Sequence, residues 1–127
     1  LVRYGGDEFV LLLPETPLAG AKRVAARIQE AVHAISLRSG RRNVRLSVSG
    51  GAAAVHSRST ARSLLLTADE RLYEAKRRGR NCVVFPEGQH PKVLRPVAVD
   101  SGSGKSLVML TLSFAGKAIS RPGRSPR

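Results

Sequence analysis

The sequence predicts an α/β fold of the α+β kind: a mixed sheet with flanking helices, in a partial ferredoxin-like or palm-like arrangement, followed by a disordered C-terminal tail. Three observations carry this. Apolar runs and turn residues over residues 1–86 alternate as strand, turn, strand, helix, strand, helix, strand. Hydrophobic residues make up 42% of the 127 positions, enough for one core in one domain of ordinary size. After Pro86 the character changes, to Pro, Gly, Ser and basic residues around a single apolar stretch. The boundaries drawn on this basis are a domain over residues 1–86 and a low-complexity basic tail over 87–127.

Leu1 to Tyr4 reads as a short extended segment, Gly5-Gly6 as a tight turn, and Phe9 to Leu13 as a near-continuous apolar strand. A Gly-Gly pair between two strands predicts a hairpin, since tight hairpin turns need positive φ. The lack of polar alternation places the second strand inside a sheet covered on both faces. Pro14 ends it. Thr16-Pro17 predicts a helix start, with a capping hydroxyl followed by a residue of preset φ. Ala21, Val24, Ala25, Ile28, Val32 and Ile35 then recur at helical spacing, with Lys22, Arg23, Arg27 and Glu30 on the outer face. Ser39 to Asn43 reads as a polar loop around Gly40.

Val44, Leu46 and Val48 alternate with Arg45, Ser47 and Ser49, a strand with one buried face. Gly50-Gly51 predicts a bulge there or the close approach of another backbone. Ser59 or Thr60 can cap a second helix, whose apolar positions are Leu64, Leu65, Ala68, Leu72 and Ala75. Lys76-Arg77-Arg78-Gly79 has the chemistry of a helix C-terminus. Cys82 to Phe85 is a last short strand, ended by Pro86. In the tail, Leu107 to Phe114 predicts at most one marginal helix or strand.

The net charge is +13, from 22 Lys and Arg against 9 Asp and Glu, so phosphate-bearing partners are favoured without a choice among them. Aromatic residues amount to 4% with no Trp, which argues against a base-stacking platform. The basic residues are spread over helices, loops and tail without a reading helix, so nucleic acid is not the expected partner. The longest mostly apolar run, Leu107 to Ala115, is about half what a membrane helix needs. The single cysteine, Cys82, excludes an internal disulfide framework, suits a reducing cytoplasm and reads as core. Leu1 and the strand that follows it read as a broken edge.

The chemistry concentrates at two places. Gly5 and Gly6 leave no side chain in the way, so phosphates can approach the hairpin tip. Asp7 and Glu8 offer hard oxygen ligands to a cation such as Mg²⁺. Successive strand residues point to opposite faces, so both carboxylates can serve one metal only if the turn distorts. Lys76 and Arg80 lie four apart and share a face wherever the helix continues, while Arg77 and Arg78 suit the helix macrodipole.

Arg3-Tyr4-Gly5-Gly6-Asp7-Glu8-Phe9 resembles the signature stretch of GGDEF domains, the diguanylate cyclase family. Ala68-Asp69-Glu70-Arg71-Leu72-Tyr73-Glu74-Ala75-Lys76-Arg77-Arg78-Gly79-Arg80-Asn81 resembles that family's final helix, and Ser49-Gly50-Gly51-Ala52 one of its strands. The likeness covers residues 1–86 and implies the C-terminal half of such a domain. It also implies condensation of two GTP into cyclic di-GMP with release of two pyrophosphates, by a homodimer of domains using Mg²⁺ or Mn²⁺. Asp7 and Glu8 would then be catalytic and metal-binding, and Gly5, Gly6, Lys76 and Arg80 substrate-binding. Asp7 would ligate the metal and help deprotonate the attacking hydroxyl, with Glu8 in support.

The family's other metal-binding Asp, its guanine-recognising residues and its inhibitory Arg-x-x-Asp site would fall before Leu1. Such an incomplete sheet is expected to expose an edge, and the chain alone to show no turnover. A non-catalytic module that binds GTP and regulates a partner domain is the alternative, and a basic nucleic-acid-binding protein a further one. Ser101 to Ser106 imitates the end of a P-loop, but Val99 stands where the pattern needs glycine and only 21 residues follow. His33, His56 and His90 lack ligand spacing.

Overall fold

The computed structural model describes residues 1–87 and 106–119. In chain order the elements are β1 (Val2–Arg3), β2 (Glu8–Pro14), α1 (Leu18–Ala34), β3 (Ser36–Ser39), β4 (Arg42–Ala54), α2 (Ala61–Arg77), β5 (Val83–Val84) and β6 (Leu107–Ile119). The strands form one sheet in the order β1-β2-β6-β4-β3, with β5 parallel to β4 and every other pairing antiparallel. The sheet is therefore mixed, as expected, and the helices flank it on opposite faces. On one face Ala21, Ala25 and Val32 of α1 pack with Val48, Ala52, Val108, Leu110 and Leu112. On the other, Leu64 and Ala68 of α2 pack with Val10, Ala53 and Met109.

The apolar run of β2 faces both ways. Val10 packs towards α2, while Leu11 and Leu13 join the cluster under α1. The cover is incomplete on the α2 side, where Leu12 remains 45% exposed.

The largest departure from expectation is β6. Its apolar residues form the middle strand of the sheet, paired along β2 from Glu8↔Ser113 to Pro14↔Leu107 and along β4 from Asn43↔Ile119 to Ala54↔Val108. Val108, Leu110, Thr111 and Leu112 are at most 2% exposed. A strand buried on both faces and paired on both edges needs no polar alternation, so its local pattern matches a helix or strand of any rank. Residues 88–105 and 120–127 lie outside the described residues, and with them His90 and the P-loop-like residues 101–105.

Four local expectations change. Gly5 and Gly6 do not take positive φ; the loop from Tyr4 to Glu8 is wider than a two-residue turn, with the Tyr4 and Gly5 amides donating to the Glu8 carbonyl. Thr16 does not cap α1, because its hydroxyl donates to the Pro14 carbonyl and the cap position falls on Pro17. The polar loop expected over Ser39 to Asn43 shrinks to a turn at Gly40 and Arg41, because Ser36–Ser39 is an edge strand paired with β4, which already begins at Arg42. The helix does not run on to Arg80, so Lys76 and Arg80 do not share a helical face.

In β4 the expected single buried face holds only at its start, since the strand runs unbroken to Ala54 and is buried on both faces from Val48 to Ala53; the capping and close-approach readings hold. Thr60 and Ser63 form a reciprocal capping box at the start of α2. Gly51 marks a close backbone approach: a Cβ there would stand 2.0 Å from the Ala68 carbonyl oxygen and 2.3 Å from the Leu72 nitrogen. The missing side chain is what lets α2 lie directly on β4.

Candidate functional site

The site forms where β2 begins, α2 ends, and the middle strands run past both. Arg3 shapes the β1–β2 loop by donating through its guanidinium to the Gly5 and Gly6 carbonyls at 3.2 and 2.7 Å. No atom lies within 4 Å of where a Gly6 Cβ would stand, so the tip is open, as phosphate approach requires.

Asp7 is exposed and Glu8 half-buried. The Ser113 hydroxyl donates to Asp7 Oδ2 at 3.1 Å, and Lys76 Nζ donates to Glu8 Oε1 at 3.2 Å. Ser113 stands directly opposite Glu8 on the sheet face that carries α2. Both carboxylates therefore turn to the α2 face, through the bend at residues 5–7. This is the distortion that strand alternation alone forbids.

Two oxygen-donor carboxylates beside a hydroxyl fit Mg²⁺ or Mn²⁺, since Mg²⁺ keeps several waters and binds through one or two carboxylates plus substrate phosphates. Among the described residues no three His, Cys, Asp or Glu side chains gather to form an all-protein metal cage.

The last turn of α2 is closed by a Schellman-type bond, the Arg80 amide donating to the Ala75 carbonyl at 3.0 Å. Gly79, Arg80 and Asn81 then take φ of 103°, 65° and 54° in succession. Arg and Asn pay for that region sterically, and surrounding bonds hold them there. The Asn81 amide donates to Ser49 Oγ at 3.0 Å, Gln29 Nε2 to the Asn81 carbonyl at 3.1 Å, and His33 Nε2 lies 2.6 Å from Asn81 Oδ1. The loop is thus fastened to α1 and β4 at once, and Arg80 is carried to the wall of a cavity of about 710 Å³. Arg45, Ser47, Ala115 and Lys117 are also in its lining.

Of the residues singled out from sequence, Glu8 and Lys76 meet, Asp7 is held beside them by Ser113, Gly5 and Gly6 form the adjoining tip, and Arg80 lines the neighbouring cavity. Ser113, Ser49, Asn81, Arg45 and Lys117 were not singled out. For Ser49 and Arg45 a signal existed, since with Ser47 they form the polar side of the β4 alternation. Ser113 and Lys117 carry none, because their place depends on the pairing of β6. Cys82 is half-buried, its thiol directed at the Ala75 carbonyl at 3.6 Å, which agrees with a packing role.

Comparison with known proteins bears on this arrangement. The family model described as "Diguanylate cyclase, GGDEF domain" matches residues 1–82. The chain is similar to the response regulator PleD of Caulobacter vibrioides, 42% identical over 85 residues that cover 65% of this chain and 19% of that protein. It is similar also to diguanylate cyclase DosC of Escherichia coli, 43% over 82 residues, covering 64% and 18%. Diguanylate cyclase A of Treponema denticola is 34% identical over 91 residues, covering 71% and 24%. The chain thus spans about a fifth of the length of these relatives. No solved structure matches it significantly.

Proposed function

This chain belongs to the GGDEF domain family of diguanylate cyclases, and from that premise we propose that it supplies the signature and final-helix parts of a site that condenses two GTP into cyclic di-GMP. The observation that carries the reading is the contact between the two motif blocks. Lys76, from the end of α2, meets Glu8, 68 residues away in sequence, beside Asp7 at the open hairpin tip.

In the proposed reaction each 3′-hydroxyl oxygen bonds to the α-phosphorus of the other GTP. The bond from that phosphorus to the bridging oxygen breaks, and pyrophosphate leaves. Asp7 receives the hydroxyl proton, and Glu8 supports the cation site. Gly5 and Gly6 let phosphates reach the backbone, while Lys76 and Arg80 offset charge on the α-phosphate and the leaving group. Bound Mg²⁺ or Mn²⁺ would lower the pKa of the nucleophile and neutralise the leaving pyrophosphate. Two GTP-loaded domains facing each other supply both substrates, so a homodimer is the proposed assembly and positioning a large share of the acceleration. The proposed setting is the cytoplasm; among the described residues no helix is long and apolar enough to cross a membrane.

A chimera tests the reading. Residues 1–82 replace the matching stretch of the Escherichia coli relative, and cyclic di-GMP is measured chromatographically after incubation with GTP and Mg²⁺. Synthesis that Asp7→Ala lowers by a factor of a hundred or more is expected, as for loss of a group needed only in the transition state. A folded chimera that binds GTP without turning it over would support the regulatory module instead.

A further inference from the structure

The sheet surface that runs from the carboxylates into the cavity has an order that the carboxylate site does not explain, and Arg45, Ser47, Ala115 and Lys117 are the part of it that lines the cavity. Ser49, Ser47 and Arg45 are alternate residues of β4, and Ser113, Ala115 and Lys117 alternate residues of β6. The register sets them side by side as Ser49↔Ser113, Ser47↔Ala115 and Arg45↔Lys117. All six stand on the face that carries α2, since Ala53 and Met109, which pack with that helix, share their parity. Each row lies roughly 7 Å beyond the last. The strip therefore begins with two buried hydroxyls, Ser113 bonded to Asp7 and Ser49 to the Asn81 amide, opens into the cavity at Ser47 and the small Ala115, and ends in two cations. Arg80 is in the lining of the same cavity.

The pairing of Arg45 with Lys117 is unfavourable by itself. Like charges directly opposite on neighbouring antiparallel strands repel. Neither cation, nor Arg80, makes an ion pair among the described residues, where Lys76–Glu8 and Arg78–Glu74 are the salt bridges. An anion seated between them removes the repulsion. The polarity of the strip, from cation-binding carboxylates to a cationic end, matches a metal-chelated polyphosphate lying along it.

We propose that Arg45 and Lys117, with Arg80, form a cradle for the terminal phosphate of the nucleotide. Lys117 comes from β6, so the segment after residue 105 contributes directly to the site. The assignment rests on the GTP reading above and adds two binding residues to it.

The test is calorimetric titration of the 127-residue chain with GTP, GDP and GMP in the presence of Mg²⁺. Arg45→Ala and Lys117→Ala are each expected to weaken GTP binding by about tenfold or more, the loss of a charge-assisted hydrogen bond. GMP affinity is expected to stay unchanged, and Lys117→Arg to keep most of the GTP affinity. Because both side chains are exposed and face each other, neither alanine variant is expected to lower the melting temperature, which separates a binding role from a structural one. Variants that bind GTP as the parent chain does, while the parent prefers GTP to GMP, would overturn the cradle and leave the GTP reading intact. A parent chain with no nucleotide affinity would overturn both.

Discussion

At the scale of single residues, three glycines of the same kind in sequence have different reasons for being glycine. A Cβ on Gly51 would meet the backbone of α2 at 2.0 to 2.8 Å, and a helix backbone cannot give way locally. At Gly50 the tightest contact is 2.7 Å, to the end of the Leu112 side chain, which can turn aside. Gly6 has open space. Gly51→Ala is therefore expected to lower the unfolding free energy by about 3 kcal/mol or more, the upper range for overpacking. Gly50→Ala should lose less, and Gly6→Ala almost nothing. Urea denaturation of the three variants measures this order; equal losses at Gly50 and Gly51 would contradict the seating of α2. The Gly-Gly pair in β4 was legible as a bulge or a close approach, and the unbroken register with β6 leaves the close approach. Which helix approached was not legible, since that depends on how distant elements stack.

Among the elements, α1 and α2 were readable because an apolar stripe at 3.6-residue spacing is written entirely within each segment. Their ends were read unequally. Thr60 caps α2 as its sequence suggests, whereas Thr16 spends its hydroxyl on the Pro14 carbonyl. Strand β3 escaped notice because an exposed edge strand needs no apolar face, and Leu37 is itself 46% exposed. Thr60→Ala removes the acceptor for the Ser63 amide and is expected to cost about 1 kcal/mol. Lys76 and Arg80 stand at the opposite end of α2, where Lys76 meets Glu8 and the following loop is fastened by Asn81 to Ser49, Gln29 and His33. Nucleotide affinity should therefore survive the change, with only the thermal midpoint falling. A parallel loss of GTP affinity in the same titration would show that the helix transmits its N-terminal state to the site.

For the whole molecule, the decisive feature is that the last strand in sequence is the middle strand in space. The carboxylate end of the site was legible because Gly5 to Glu8 and Lys76 to Asn81 are contiguous motifs. The cationic end was not, because Lys117 reaches Arg45 only through a pairing that spans more than 70 residues of chain. Such long-range pairing is invisible to local periodicity and slow to form. It also makes β6 indispensable. Val108, Met109, Leu110 and Leu112 are all at most 7% exposed, and burying four such side chains is worth roughly 6–12 kcal/mol. That is comparable to the whole stability of an ordinary domain, about 5–15 kcal/mol. Without β6 the facing edges of β2 and β4 lose their partner, and the clusters under both helices lose the β6 side chains that complete them. A chain ending at residue 105 is accordingly expected to show no cooperative thermal transition by circular dichroism and to aggregate on size-exclusion chromatography. Should the shortened chain instead melt like the full one, the sheet closes without β6, and the cradle at Arg45 and Lys117 loses its basis.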